Sequence, residues 1–130
     1  MSQAQPANAD GSPTMIFVVD DEPMLLDLAA AILQPLGYEV RTFRDPHAAL
    51  DEFSAARPAV LVTDYAMGAM TGMDLIRECK RVNPQQKIVL LSGTVDENIY
   101  ANATAKPDRF LAKPYQVRDF VEAVVKLASA

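Results

Sequence analysis

The chain has 130 residues, half of them hydrophobic, which suffices for one domain with a hydrophobic core. Its net charge is −5 and it has no basic run, so we expect no nucleic-acid binding by the chain alone. Cys79 is the only cysteine, which excludes an internal disulfide and any multi-cysteine zinc site, and its neighbours predict a buried thiol. No apolar run approaches the roughly 18 residues of a membrane-spanning helix, so we expect a cytoplasmic protein without membrane contact.

The first 14 residues, "MSQAQPANADGSPT", contain neither Lys nor Arg and no continuous apolar segment. They therefore cannot be a secretory signal, and their polar composition predicts a flexible leader over residues 1–14. The alternation of strand and helix patterns begins at Met15. We expect a single folded domain over residues 15–130.

The first half of this domain alternates short β-rich runs with helical patterns. "MIFVV" predicts a first strand, and "PMLLDLAAAILQPLG" predicts a helix that begins at Pro23 and ends at Gly37. "YEVRTF" predicts a second strand that is buried on one face. Asp45 and Pro46 have the order of an N-cap and a first-turn proline, so they open a second helix. The apolar positions of the two helices are Leu25, Leu28, Ile32 and Leu36 in the first, and Leu50 and Phe53 in the second.

The second half continues the alternation. "AVLVT" is uniformly apolar, as expected of a central parallel strand, and the helix "MDLIRECKRV" and the strand "KIVLL" follow. Residues 93–106 predict a fourth helix with a weak apolar stripe. "RFLA" predicts a fifth strand, and "VRDFVEAVVKLA" an amphipathic last helix with Val117, Phe120, Val121 and Val124 on one side. Five successive βα units predict an α/β domain, a (βα)5 doubly wound fold with a parallel sheet covered by helices on both faces.

Polar residues follow four of the five predicted strands. They are Asp20 and Asp21 after the first strand, Asp64 after the third, Ser92 after the fourth and Lys113 after the fifth. Each of them alone could be an ordinary capping or turn residue. Ligands of such sheets bind beyond the carboxyl ends of the strands. Independent capping would not explain why carboxylates, a hydroxyl and an ammonium group all lie at these strand ends.

The chemistry of this edge predicts a cation and a phosphoryl group. Clustered carboxylates repel one another unless a cation lies between them, and oxygen ligands without paired His or Cys favour Mg²⁺. The single histidine, His47, lies in the second helix, where we expect a surface residue. Lys113 and Ser92 suit the oxygens of a phosphoryl group. Because no glycine-rich phosphate loop is present, the acceptor is expected to be a carboxylate, and Asp64 is the best candidate.

Four motifs, "VVDDEP", "VLVTDYAMGAMTGMDLI", "VLLSG" and "RFLAKPY", resemble the receiver domain of bacterial two-component response regulators over residues 15–128. The resemblance is to a chemotaxis-type single-domain receiver or to the receiver of a hybrid kinase. It implies a flavodoxin-like sheet in the order 2-1-3-4-5. It also implies a signalling domain, which is not an enzyme in the usual sense, in a phosphorelay.

The resemblance further implies a role for each site residue. Asp64 would accept a phosphoryl group from a phosphohistidine on a sensor histidine kinase or a histidine phosphotransfer protein. Asp21 and Asp64 would bind Mg²⁺ directly with the main-chain carbonyl of Ala66, while Asp20 would act largely through water. Lys113 would pair with the phosphoryl oxygens.

It implies a switch as well. Ser92 would hydrogen-bond the phosphoryl group, Phe110 would swing inward, and the fourth helix, fifth strand and fifth helix would bind a downstream protein. Pro114 matches a proline whose preceding peptide bond is cis. The sequence departs from the family pattern at Gly68, where proline is common, at the small Ala66, and in "AKPDRF" before the fifth strand.

Two other functions are compatible with parts of this pattern. A haloacid-dehalogenase-like phosphatase also uses an aspartate and Mg²⁺, but its DxD motif lies on the first strand, whereas Asp20 and Asp21 are adjacent. A receiver-like interaction domain that is not phosphorylated would keep the fold without the chemistry. All five active-site positions carry residues that are competent for phosphorylation, which argues against this alternative.

Overall fold

The computed structural model describes residues 7–8, 10–68, 70–93 and 103–130. At its centre are five parallel strands, each on its predicted run with ends that differ by one residue at most. They are β1 (Met15–Val19), β2 (Glu39–Phe43), β3 (Val60–Asp64), β4 (Lys87–Ser92) and β5 (Arg109–Ala112). The strand order β2-β1-β3-β4-β5 confirms the flavodoxin-like α/β fold.

Helices cover this sheet on both faces. Those within the described residues are α1 (Pro23–Leu33), α2 (Pro46–Ala56), α3 (Gly72–Val82) and α4 (Val117–Ala128). The predicted fourth helix, residues 93–106, falls largely on residues 94–102, which lie outside the described residues. Residues 93 and 103–106 are not helical, so the label α4 here belongs to the last helix of the chain.

The starts of the helices follow from local sequence. α1 and α2 both begin at a proline, whose fixed φ suits a helix and whose missing N–H is not needed in the first turn. The Asp45 side chain accepts a hydrogen bond from the backbone N–H of His47 at 2.9 Å, which confirms the predicted N-cap. α3 begins after a capping box between Thr71 and Asp74. After α1, a short 3-10 turn ends at Gly37, whose φ of 101° is readily accessible only to glycine.

Two hydrophobic clusters lie on opposite faces of the sheet. The first joins Ile16 and Val18 of β1 to Leu26 of α1 and Phe120 of α4. The second joins Phe17 and Val19 to side chains of α2 and α3, including Phe53 and Leu75. Every residue of β3 is buried, as expected of the central strand that its apolar run predicts, and the buried residues include the polar Thr63 and Asp64. Because both faces are covered, the ends of the strands are where polar residues of the sheet can meet a ligand.

The inward face of α1 differs from the predicted one. Leu26, Ala29 and Leu33 are buried, whereas Leu28 and Leu36 of the predicted stripe are 43% and 40% exposed. Nearly every residue of α1 is apolar, so the helical periodicity is compatible with more than one inward face, and packing against the sheet selects one.

The apolar side of α4 is closer to the prediction. Phe120 and Val124 are buried as predicted, but Val117, in the first turn, is half exposed. Within the described residues, no helix has both the length and the apolarity needed to cross a membrane.

Candidate functional site

The polar residues singled out in the sequence lie at the carboxyl ends of neighbouring strands. Asp20 directly follows β1, Asp64 ends β3, Ser92 ends β4 and Lys113 directly follows β5. Because β1, β3, β4 and β5 are adjacent in this order, these residues share one edge of the sheet. Asp20, Asp64 and Ser92 are buried, although all three are polar. Burial of polar side chains is costly, so their interactions decide what the site can do.

Lys113 joins the two buried aspartates. Its Nζ atom lies 3.0 Å from Oδ2 of Asp20 and 3.0 Å from Oδ1 of Asp64. The other oxygen of Asp20, Oδ1, accepts a hydrogen bond from the backbone N–H of Glu22 at 3.0 Å. The ammonium group thus partly balances two carboxylates that would otherwise repel each other in a poorly solvated position.

Burial and neighbouring charge shift the pKa values in this triad. Burial raises the pKa of the Asp64 carboxyl above its ordinary 3.8, and the charge of Asp20 acts in the same direction, although the Lys113 hydrogen bond opposes both. Burial works against the charged form of Lys113. The hydrogen bonds and charges of Asp64 and Asp20 outweigh it, so the pKa of Lys113 lies above 10.5. Lys113 therefore stays protonated. The charged form of Asp64 is unfavourable in this buried position unless a positive charge lies beside it.

The three carboxylates also form a plausible set of ligands for a hard cation. One oxygen from each of Asp20, Asp21 and Asp64 can be chosen so that all lie within 4.8 Å of one another. Asp21 is exposed, so this cluster opens to solvent on one side. An all-carboxylate set of this size suits a small divalent cation that retains water, as Mg²⁺ does. The resemblance implies that the main-chain carbonyl of Ala66 also binds the ion. Ala66 is exposed and lies two positions after Asp64.

Three further residues that the resemblance singles out lie close to the triad in the chain: Ser92 ends β4, Phe110 lies in β5 and Pro114 directly follows Lys113. Ser92 pairs with Ala112 in the sheet, and its carbonyl accepts a hydrogen bond from the backbone N–H of Lys113 at 2.8 Å. Phe110 is partly buried and packs against the cluster on the α2 and α3 side of the sheet. The peptide bond between Lys113 and Pro114 is cis, as the resemblance implies.

Two residues that hold Asp64 in place were not singled out in the sequence. A Cβ atom on Gly72 would lie only 2.3 Å from the carbonyl oxygen of Asp64, so this position of α3 admits only glycine without displacement. The hydroxyl of Thr63 donates a hydrogen bond to the same carbonyl oxygen at 3.0 Å. The only local signal for Thr63 is a hydroxyl in an otherwise aliphatic strand, and Gly72 resembles an ordinary residue of a helix start.

The single histidine and the single cysteine of the chain lie away from this edge. His47 is exposed on α2, as predicted. Cys79 is buried in α3, and burial raises the pKa of its thiol to about 12. Its sulfur is therefore a packing group, which confirms the prediction from its neighbours.

Comparison with known proteins identifies the family. The model of the response regulator receiver domain matches residues 16–125. The regulatory protein TcrX of Mycobacterium tuberculosis is 32% identical over 115 residues, which are 87% of this chain and 49% of TcrX. The chemotaxis protein CheY of Thermotoga maritima is 27% identical over 115 residues, which are 87% of this chain and 96% of CheY. The chain thus spans about half the length of TcrX but nearly all of CheY.

The solved structures agree with this assignment. A CheY-like receiver domain protein from Methanospirillum hungatei has a TM-score of 0.84 at 25% identity, over 91% of this chain and 95% of that one. These similarities agree with the strand order and with the residues found at the carboxyl ends of the strands. The chain belongs to the response regulator receiver domain family.

Proposed function

We propose that this receiver domain accepts a phosphoryl group on Asp64 and thereby switches a protein-binding surface. The observation that carries the proposal is the contact of one ammonium group, that of Lys113, with both Asp20 and Asp64 at 3.0 Å. A buried carboxylate beside a fixed ammonium is suited to become an acyl phosphate, because the ammonium can follow the charge to the new phosphoryl oxygens.

The acidic cluster supports Mg²⁺ as the cofactor. Asp21 and Asp64 would hold the ion with the carbonyl of Ala66, and Asp20 would act largely through water. The bound ion would supply positive charge that offsets repulsion between the carboxylates and the incoming phosphoryl group. The raised pKa of Asp64 indicates that the carboxylate gains from such a charge.

Transfer requires a nucleophile and a leaving group. An oxygen of the Asp64 carboxylate attacks phosphorus, so that an O–P bond forms as the P–N bond to the donor histidine breaks. The imidazole leaves with the electron pair of that bond and takes up a proton from solvent. Lys113 stays protonated throughout, since its pKa lies above 10.5, and it pairs with the phosphoryl oxygens.

The phosphoryl group adds a charge of about −1.5 to −2 and strong hydrogen-bond acceptors. Ser92 ends the strand beside Asp64 and would donate its hydroxyl to this group, which biases the end of β4 toward the site. Phe110 would then move further inward from its partly buried position. β5 and α4, with the residues between β4 and β5, would present the changed surface.

The partners follow from this chemistry. The donor is a sensor histidine kinase or a histidine phosphotransfer protein, and the target is a downstream protein that binds the β5 and α4 side. With a net charge of −5, this chain is not expected to bind nucleic acid directly. We assign the receiver domain to residues 15–130.

The direct test is the intact mass of the protein after incubation with acetyl phosphate, with and without Mg²⁺. We expect a single phosphoryl addition to the wild type that requires Mg²⁺ and is absent from Asp64→Asn. Asp27→Asn, which alters an exposed aspartate of α1, is the matched control and should be phosphorylated like the wild type. Phosphorylation of Asp64→Asn at the wild-type rate would place the acceptor elsewhere. No addition to the wild type from acetyl phosphate or from a phosphorylated histidine kinase would refute the proposal.

A further inference from the structure

Thr63 is a hydroxyl residue in a strand that is otherwise suited to aliphatic packing. Thr63 is the fourth residue of β3, which has the sequence VLVTD, and it is 0% exposed. Valine would fill nearly the same volume, and a buried hydroxyl is unfavourable unless it is hydrogen-bonded. The position therefore owes its polarity to the partners of that hydroxyl.

Those partners belong to Asp64 and the loop after it. Oγ1 of Thr63 donates to the carbonyl oxygen of Asp64 at 3.0 Å and lies 3.8 Å from Sδ of Met67. The hydroxyl carries one proton, so it can donate fully to only one of these acceptors at a time. The carbonyl is the stronger and better placed acceptor, because sulfur is a weak one. The hydroxyl therefore restrains the main chain of Asp64.

Gly72 of α3 packs against the same carbonyl group. It lies so close to the oxygen that a Cβ added to Gly72 would be 2.3 Å away. The backbone N–H of Gly72 also donates to the carbonyl of Tyr65 at 2.7 Å. The main chain of Asp64 and Tyr65 is thus held between Thr63 on β3 and Gly72 on α3. The side chain of Asp64 is held separately, by Lys113.

We propose that Thr63 is a positioning residue for Asp64, and this inference rests on the proposed function of Asp64 as phosphoryl acceptor. The hydroxyl fixes the rotation of the peptide group between Asp64 and Tyr65 together with the N–H of Tyr65, which donates to the carbonyl of Leu91 at 2.9 Å. This rotation sets the direction of the Asp64 carboxylate and of the loop that carries the carbonyl of Ala66. Small displacements of a reacting group reduce rates strongly, so the loss of this one restraint should be measurable.

The test compares Thr63→Val, which keeps the shape and removes the hydroxyl, with Thr63→Ser, which keeps the hydroxyl. The dissociation constant of Mg²⁺ is measured by NMR titration with the metal alone. The rate of phosphorylation is measured by intact mass against the concentration of acetyl phosphate. For Thr63→Val we expect Mg²⁺ binding and the maximal rate to fall about three- to tenfold, the range expected for one hydrogen bond. Thr63→Ser should stay within about twofold of the wild type on the same scale.

A control that loses stability elsewhere in the sheet separates positioning from a merely structural role. Thr63→Val leaves the buried carbonyl oxygen of Asp64 without its hydroxyl donor, so this variant should lose thermal stability as well as Mg²⁺ affinity. Gln86→Met is the matched control at the opposite edge of the sheet. There Nε2 of Gln86 donates to the carbonyl oxygens of Pro58 and Lys87, both at 3.1 Å. This control should lose stability and keep the wild-type dissociation constant of Mg²⁺.

Thr63→Val with the Mg²⁺ affinity and rate of the wild type would overturn the inference, and so would a Thr63→Ser variant as impaired as Thr63→Val. If the wild type binds Mg²⁺ but takes up no phosphoryl group on Asp64, the proposed function fails. The Mg²⁺ titrations of the two variants then still decide whether Thr63 positions the site. A wild type that binds no Mg²⁺ would overturn both.

Discussion

Replacement of Gly72 by alanine tests how closely α3 is packed against the acceptor strand. The new Cβ would lie 2.3 Å from the carbonyl oxygen of Asp64 and 3.0 Å from Cα of Tyr65, whereas ordinary contact begins at 3.4 Å. The helix and the end of β3 must therefore separate by roughly 1 Å, and both contacts are with main chain that cannot rotate away. Overpacking of this kind costs about 1 to 3 kcal/mol.

Alanine also favours the helical state, by up to about 1 kcal/mol relative to glycine inside a helix, and by less at the first helical residue. We therefore expect Gly72→Ala to lower the free energy of unfolding by about 1 to 2 kcal/mol, or the Tm by roughly 3 to 8 °C. Because the displaced carbonyl belongs to Asp64, the affinity for Mg²⁺ should fall in the same variant.

Urea unfolding followed by circular dichroism measures the stability, and Gly68 provides the control. Its φ is +71° and an added Cβ would meet nothing within 4 Å, so Gly68→Ala costs only the strain of a left-handed backbone, about 1 to 2 kcal/mol. Asparagine tolerates that backbone better, so Gly68→Asn should recover part of the loss, whereas Gly72→Asn should recover none. A Gly72→Ala protein that is as stable as the wild type would refute the steric argument.

Three further predictions concern charge and burial. Asp64→Asn should be more stable than the wild type at pH 7, because the raised pKa of Asp64 means that the wild type loses stability as the pH rises from 3.8 through that pKa. Thermal unfolding at several pH values checks this, and a gain that persists well below pH 3.8 would contradict it. Cys79 is 1% exposed and its thiol pKa is about 12, so a thiol reagent at pH 8 should react with it only after unfolding in urea. Rapid labelling of the native protein would disprove its burial. Mg²⁺ at ten times its dissociation constant should stabilise the wild type by about 1.4 kcal/mol, and Asp21→Asn should need more Mg²⁺ for the same gain in Tm. An identical Mg²⁺ dependence would remove Asp21 from the metal site.

Much of the candidate site follows from the sequence, because a parallel sheet brings the carboxyl ends of its strands to one edge. Asp20, Asp64, Ser92 and Lys113 were each recognisable as the residue that ends or follows a strand. Their shared edge then follows from topology. The contact between Lys113 and Asp20 joins residues 93 positions apart, and only the order of β1 and β5 around β3 and β4 decides that a lysine side chain can span it.

Within the described residues, the sequence by itself determined the alternation of strands and helices, the burial of β3 and the starts of α1 and α2. Each of these depends on neighbouring residues: a run of apolar side chains, a proline in the first turn or an aspartate that caps the backbone. Only the tertiary structure decided which face of α1 is buried, since nearly all its residues are apolar and local periodicity cannot choose among them. The same holds for Gly72. A Cβ at this position would lie 2.3 Å from the carbonyl oxygen of Asp64, and this restriction exists only once α3 packs against β3.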